Sequence, residues 1–254
     1  METPLSKIDL MRAAGKLAAQ TLDHISQFIA PGVTTLELDQ AAEEFIKQNN
    51  AISACLGYTS NGQFPPFPKN ICTSVNHVAC HGIPNEKRLK NGDSLNIDVT
   101  VIVDGHHGDT SRMFFVGKPS IKHQRLSDVT YEVMMRSIEL LKPGTTIADL
   151  GRLGDQISKK YNLKVLDQFC GHGIGTIFHQ PPSVINFIDE RLPDWNYVFK
   201  EGDFLTVEPI LTTGKGKVKM MPDRWTIVTC DREPAAQWEH TIAIVDGGYE
   251  IMTL

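Results

Sequence analysis

The chain has 254 residues, 41% of them apolar, enough to bury a substantial core, and carries a formal net charge of −5 with a pI near 6.0. That balance argues against broad nucleic-acid binding, and no apolar run approaches the roughly 20 residues of a membrane span. The five cysteines, Cys55, Cys72, Cys80, Cys170 and Cys230, are odd in number and lack a Cys-x-x-Cys pair, which speaks against disulfides and structural zinc and for a reducing cytoplasm.

The opening Met1-Glu-Thr-Pro-Leu-Ser-Lys shows no basic-then-apolar leader pattern. From about Ser6 to Ala30, residues such as Ile8, Met11, Leu22, Ile25 and Ile29 recur at helical spacing and predict a helix ending at Pro31-Gly32. Thr34-x-x-Glu37 then reads as a capping box that starts a second helix. The same order returns later: a helix over about Ser127 to Leu141, Pro143-Gly144, and Thr146-x-x-Asp149. Residues 31–38 align on 143–150 without a gap, matching Pro-Gly, Thr34 with Thr146, Glu37 with Asp149 and Leu38 with Leu150. One unit used twice explains this, and the interlocking predicts a single domain over 1–254. Pro-Gly followed by a cap is also common punctuation, so coincidence stays open.

Between the copies, Ser94-Leu-Asn-Ile-Asp-Val-Thr-Val-Ile-Val103 alternates apolar and polar residues and meets Asp104-Gly105, a favoured two-residue hairpin turn. With that turn, Val103 faces His106, Thr100 faces Asp109 and Asp98 faces Ser111. Asp98 and Asp109 then share one face as diagonal neighbours, roughly 7 to 8 Å apart. A one-residue slip would put them on opposite faces. Taken alone, the pair also fits the solvent face of an amphipathic hairpin.

Further on, Cys170-Gly-His-Gly-Ile-Gly175 surrounds His172 with glycines that permit close backbone approach and unusual φ values. Glu208 lies in the strand-like run Phe204–Leu211 and Glu239 in Trp238–Val245, where a carboxylate is costly unless paired or metal-bound. Lys215-Gly-Lys-Val-Lys219 reads as a solvated hairpin loop. Asp98, Asp109, His172, Glu208 and Glu239 together offer four carboxylates and one imidazole, a donor set suited to a pair of divalent transition metals.

Cys80-His-Gly-Ile-Pro84, Asn96-Ile-Asp-Val99, Asp104-Gly-His-His-Gly-Asp-Thr-Ser111, Cys170–Gly175, Phe178-His179, Val207-Glu-Pro209 and Glu239-His-Thr-Ile242 together resemble the short bacterial type I methionine aminopeptidases over essentially the whole chain. The resemblance implies an α/β pita-bread fold, in which a pseudo-twofold repeat of helices packs on a curved antiparallel sheet. It also implies removal of the initiator methionine from nascent polypeptides when the second residue is small.

The implied cofactor is two divalent ions per chain, Co, Mn, Fe or Zn. Asp109 and Glu239 would bridge, Asp98 would complete one site, and His172 with Glu208 the other. Such metals would acidify a shared water, polarise the scissile carbonyl and hold the substrate amine. Glu208 would also take the nucleophile's proton, His179 would donate to the developing oxyanion, and His81 would contact the backbone of the second substrate residue and assist the leaving amine. On sequence alone either histidine could equally be a satisfied structural residue. Cys55, Tyr58, Phe67, Cys72, Phe178 and Trp225 would form the methionine pocket, with ordinary core packing as the other reading. The expected partners are nascent chains, with the ribosome where they emerge, and the expected state is a cytoplasmic monomer without membrane or nucleic-acid function.

Some segments depart from the family pattern. Thr59–Pro68 is longer than the corresponding loop, which leaves open whether Phe64 or Phe67 faces the substrate. Thr176 and Gln180 replace an expected Arg and Glu, and Arg191–Tyr197 adds residues before Glu208. A proline-specific peptidase of the same fold is one alternative; it normally carries a large N-terminal domain and a different histidine spacing. A catalytically inactive peptide-binding relative is another, against which all five ligand positions are filled.

Overall fold

A computed structural model of the chain describes residues 5–254, so the first four residues of the segment read above as lacking a leader lie outside the described part. The first half comprises α1 (Lys7–Ser26), α2 (Thr35–Gln48), β1 (Ile52–Ser53), β2 (Cys72–Val75), β3 (Val78–Cys80), β4 (Ser94–Val103) and β5 (His106–Phe115). The second comprises α3 (Ile121–Leu140), α4 (Ile147–Lys160), β6 (Lys164–Val165), β7 (Gly171–Gly173), β8 (Gln180–Val184), β9 (Phe204–Val207), β10 (Ile210–Thr212), β11 (Val218–Met220), β12 (Ile227–Thr229), β13 (Ala235–Gln237), β14 (His240–Val245) and β15 (Gly248–Ile251).

Short polar side chains start the helices. Ser6, Thr34 and Thr146 each accept from the backbone N–H three residues on, and Asp9, Glu37 and Asp149 return the bond to the cap, so the expected boxes at Thr34 and Thr146 are both formed. Two helix ends differ from expectation. α1 stops at Ser26 rather than at Pro31, and the chain turns through Phe28 N–H to Ile25 O (3.0 Å) and Ile29 N–H to Ser26 O (3.3 Å). α3 begins at Ile121 rather than Ser127, because Ser120 caps it through the His123 N–H.

The long hairpin has the expected register: Val103 pairs with His106, Thr100 with Asp109 and Asp98 with Ser111. Asp104 and Gly105 both take positive φ, 47° and 76°, as a type I′ turn requires. The two later runs are broken where the carboxylates sit. β9 ends at Val207 and β10 begins at Ile210, since Pro209 has no N–H for a ladder. β14 begins at His240, and Glu239 joins β5 through a single bridge to Ser111. Part of the 215–219 segment is ordered too, as Val218–Met220 pairs with β12.

All strand pairs are antiparallel. One sheet is β1-β4-β2 with β5 beside β4, and the larger one of the second half is β15-β14-β9-β7-β8. Period-two alternation divides their faces. Leu95, Ile97, Val99 and Val101 of β4 pack with Leu17, Leu22, Ile25, Leu38 and Ile46 of α1 and α2, while Leu205 and Val207 of β9 pack with Met134, Ile138, Ile147 and Leu150 of α3 and α4. Asn96, Asp98 and Thr100, and likewise Thr206, are left on the opposite face.

The internal repeat is structural. Gly32 N–H donates to Leu89 O (2.8 Å) and Gly144 N–H to Phe199 O (2.9 Å), while Thr34 bridges to Arg88 and Thr146 to Val198. A second correspondence, missed in the sequence, continues it. Lys90-Asn-Gly-Asp93 and Lys200-Glu-Gly-Asp203 make matching turns, in which Asp93 accepts from Lys90 N–H (2.8 Å) and Asp203 from Lys200 N–H (2.9 Å). Five residues beyond Asp93 stands Asp98, and five beyond Asp203 stands Glu208.

Candidate metal centre and substrate cavity

The polar faces of the two halves meet around a cavity of about 390 Å³ lined by all five expected ligand residues. Asp109, His172 and Glu239 are buried, and one donor atom from each lies within 4.8 Å of the others. His172 Nε2 is 3.6 Å from Asp109 Oδ2 and 3.5 Å from Glu208 Oε1. Asp98 stands outside the tightest trio but lines the same space, on the strand paired with that of Asp109.

Neighbouring polar groups aim these side chains. Thr100 Oγ1 donates to Asp109 Oδ1 (2.7 Å), and Thr241 Oγ1 both accepts from Asp109 N–H (3.1 Å) and donates to its carbonyl (2.7 Å). Thr206 Oγ1 donates to Glu208 Oε1 (2.8 Å) and accepts from His172 N–H (3.0 Å), tying two candidate ligands to one hydroxyl. Gln237 Nε2 reaches Glu208 Oε2 (3.3 Å), and Asn96 Nδ2 donates to the Gln237 carbonyl (2.9 Å). His172 Nδ1 faces Gly173 O at 3.1 Å, so with the proton on Nδ1 the Nε2 atom would be free to bind a cation held between it and the carboxylates.

The glycines around His172 serve one of the two purposes expected of them. A Cβ on Gly171 would lie 2.4 Å from Thr206 O and one on Gly173 2.3 Å from Pro181 O, so close backbone packing demands them. Unusual φ is not involved, as neither has positive φ.

Burial, and then Asp109 and its neighbours, push Asp98 well above the usual carboxylate range; burial, then Asp109, Glu208 and Asp98, do the same to Glu239. Burial raises Glu208 to about 7 against the opposing pull of His172. Burial works against charging His172, yet Asp109 and Glu208 raise it on balance. Arg224, at the mouth, is the only Lys or Arg among the lining residues. Four mutually repelling carboxylates beside an imidazole form a donor set that divalent cations would stabilise in its metal-binding form. The residues therefore fit a metal.

One side of the cavity is apolar and sulfur-bearing. Cys55, Phe67, Cys72 and Trp225 form a buried cluster with Tyr58 and Phe64 packed against it. Trp225 meets Phe67 edge-on (5.3 Å between centroids) and Phe64 at a tilt (5.1 Å), and its Nε1–H donates to Pro65 O (2.9 Å). Phe67 is thus in the buried wall and Phe64 half-buried beside it, so the longer loop contributes both phenylalanines to the lining.

His179 lies against His172 (4.2 Å) and Phe178 (4.0 Å), and Tyr58 closes over both Phe178 and His179 at 5.1 Å. His81 has positive φ, 54°, and its ring stands edge-on to Phe169 and Trp225. Burial lowers His81 to about 4, and loss of water followed by the surrounding His172, His81 and His107 lowers His179. Both rings are neutral near pH 7, and both line the cavity.

Sequence reasoning missed several supporting residues. Asn96, Thr100, Thr206 and Thr241 are marked only by alternation beside a carboxylate, and Gln237 carries no short-range signal. His107, two residues before Asp109, uses its backbone N–H (2.9 Å) and Nδ1 (2.8 Å) on Gly175 O and stacks on Phe178 (5.4 Å, 17°). It thereby ties the hairpin to the loop that carries Phe178 and His179.

A buried carboxylate and imidazole cluster lining a cavity between two related halves is the architecture of a metallohydrolase. The chain matches the model of metallopeptidase family M24 over residues 9–246, and it belongs to that family. It is 48% identical over 245 residues to a methionine aminopeptidase of Rickettsia prowazekii, covering 96% of this chain and 91% of that one. It is 44% identical over 256 residues to the methionine aminopeptidase of Escherichia coli strain K12, covering 100% and 93%. The crystal structure of methionine aminopeptidase from Rickettsia prowazekii superposes with a TM-score of 0.92 at 46% identity, with full coverage of both chains.

Proposed function

We infer that this chain is a metal-dependent methionine aminopeptidase, acting as one catalytic domain over 1–254 to remove the N-terminal methionine of polypeptides whose second residue is small. The reading is carried by the side-by-side placement of a buried acidic donor set and a soft apolar wall in one cavity. It acts in the cytoplasm as a monomer on chains emerging from the ribosome. Among the described residues no helix is long and apolar enough to cross a membrane.

Asp98, Asp109, His172, Glu208 and Glu239 would hold two divalent ions, Co, Mn, Fe or Zn. When bound, such ions supply Lewis acidity and an acidified water. Every remaining task falls to the chain. The substrate's N-terminal amine is directed to the polar inner end of the cavity, and the first side chain enters between Cys55, Tyr58, Phe67, Cys72, Phe178 and Trp225, where a flexible thioether packs against aromatic edges. Glu208, in contact with His172 and held by Thr206 and Gln237, accepts the proton of the attacking water and returns it to the leaving amine. His179, neutral and open to the cavity, donates a hydrogen bond to the oxygen of the attacked carbonyl. His81 binds the backbone beyond the scissile bond.

The test is metal-dependent release of methionine from Met-Ala-Ser, compared with hydrolysis of Xaa-Pro-Ala. Faster turnover of the proline peptide would favour a proline-specific peptidase, and binding of either peptide without turnover would favour an inactive relative.

A further inference from the structure

The cavity floor is acidic and its mouth is not. Among the lining residues the carboxylates Asp98, Asp109, Glu208 and Glu239 are buried or half-buried, whereas Gln168, Met220 and the one Lys or Arg, Arg224, are exposed at the mouth. A peptide that enters amine-first leaves its downstream residues at this mouth.

Arg224 is held there at a conformational cost. Its φ is +64°, the left-handed region in which an arginine is disfavoured and a glycine is not. The turn around it is fixed: Asp223 Oδ1 accepts from Trp225 N–H (2.9 Å) and Thr226 N–H (2.8 Å), and Arg224 N–H donates to Met221 O (2.9 Å). Its Nη2 donates to Gln63 O (3.1 Å), within the long 59–68 loop. That single bond leaves the other guanidinium donors available, and Arg224 has no carboxylate partner among the described residues. The side chain is exposed, yet anchored by its backbone turn and by the loop, so little further entropy is lost when it binds.

We propose that Arg224, latched to the Gln63 carbonyl at the cavity mouth, forms a subsite for a carboxylate on the substrate residues just downstream of the scissile bond. The carboxylate belongs to an aspartate or glutamate side chain or to the C-terminus of a short peptide. This rests on the aminopeptidase reading above.

The experiment compares kcat/KM for Met-Ala-Asp-Ser-amide against Met-Ala-Asn-Ser-amide, and for Met-Ala-Ser free acid against its amide, in the native enzyme and in Arg224→Gln and Arg224→Lys. The native enzyme should favour the carboxylate member of at least one pair by about three- to fivefold, the scale of a partly screened ion pair, and added salt should reduce that ratio. Arg224→Gln should bring the ratio to near unity, and Arg224→Lys should keep part of it. A preference confined to the first pair identifies a side-chain subsite; one confined to the second identifies a C-terminus subsite. A native ratio of one in both pairs, or a ratio that survives Arg224→Gln, overturns the subsite. Failure to release methionine from any of the four peptides would instead overturn the aminopeptidase reading itself.

Discussion

His179 and Asp109 show how two polar side chains of one cavity come to differ in role. Asp109 is buried, gripped by Thr100 and Thr241, and faces His172 at 3.6 Å, so its oxygens are committed inward. His179 is packed by rings only, neutral and open to the cavity. His179→Ala should therefore keep its metal while kcat falls roughly 10² to 10³-fold, the usual scale for one donor to a developing oxyanion, with a smaller change in KM. Metal analysis beside steady-state kinetics checks this, and loss of metal in place of turnover would make His179 a ligand. Asp109→Ala should lose turnover with the fold kept; more than about a tenth of native kcat at normal metal occupancy would contradict its proposed role as a metal ligand.

At the scale of elements, the hairpin is held to α1 by close backbone approach. A Cβ on Gly108 would sit 2.2 Å from the Ala14 carbonyl carbon and 2.5 Å from Gly15 N, both main-chain atoms that cannot rotate away. Gly108→Ala should destabilise by at least about 1 to 3 kcal/mol, and because Gly108 adjoins Asp109, metal affinity should fall with it. Gly248 is the control, since nothing lies within 4 Å of its Cβ position and its φ is not positive. Gly248→Ala should stay within about 0.5 kcal/mol of the native protein. Denaturant melts of both variants decide it, and equal stability would mean that α1 can shift on β5.

For the whole molecule, the apolar cores under α1–α2 and α3–α4 are formed by residues remote from the carboxylates. Stripping the metal should abolish peptidase activity, leave the far-UV circular dichroism unchanged and lower Tm, with Tm recovering on readdition in proportion to affinity. A metal-free chain that loses its secondary structure would refute this. The substrate cavity depends on both halves of the chain, the first supplying Cys55, Tyr58, Phe67 and Cys72 and the second Phe178 and Trp225. Methionine should be released ahead of Gly, Ala, Ser, Pro, Thr, Val or Cys, and norleucine weakly, because a methylene-scale mismatch is worth only about 1 to 3 kcal/mol. The check is a panel of Met-Xaa-Ser and Xaa-Ala-Ser peptides at one fixed metal concentration. Leu-Ala-Ser or Met-Lys-Ser cleaved within about threefold of Met-Ala-Ser would point to a broad aminopeptidase.

The features legible before folding are those that short-range rules control. The Asp104-Gly105 turn and period-two alternation set the register that puts Asp98 and Asp109 on one face, and a Thr with an acid three residues on set the starts of α2 and α4. Half of the duplication was legible for the same reason, its Pro-Gly and cap being contiguous. The matching Lys-x-Gly-Asp turns before Asp98 and Glu208 were not, because they stand two residues closer in sequence than the first pair and so fall out of the ungapped alignment. Contacts between distant segments were decided by the tertiary structure alone. Glu239 meets Ser111, Gln237 meets Glu208 and Asn96, Arg224 meets Gln63, and both Phe64 and Phe67 lie against Trp225. Each depends on two chain segments packing at a particular distance, a condition that local spacing does not encode and that is met only when both halves close around the cavity.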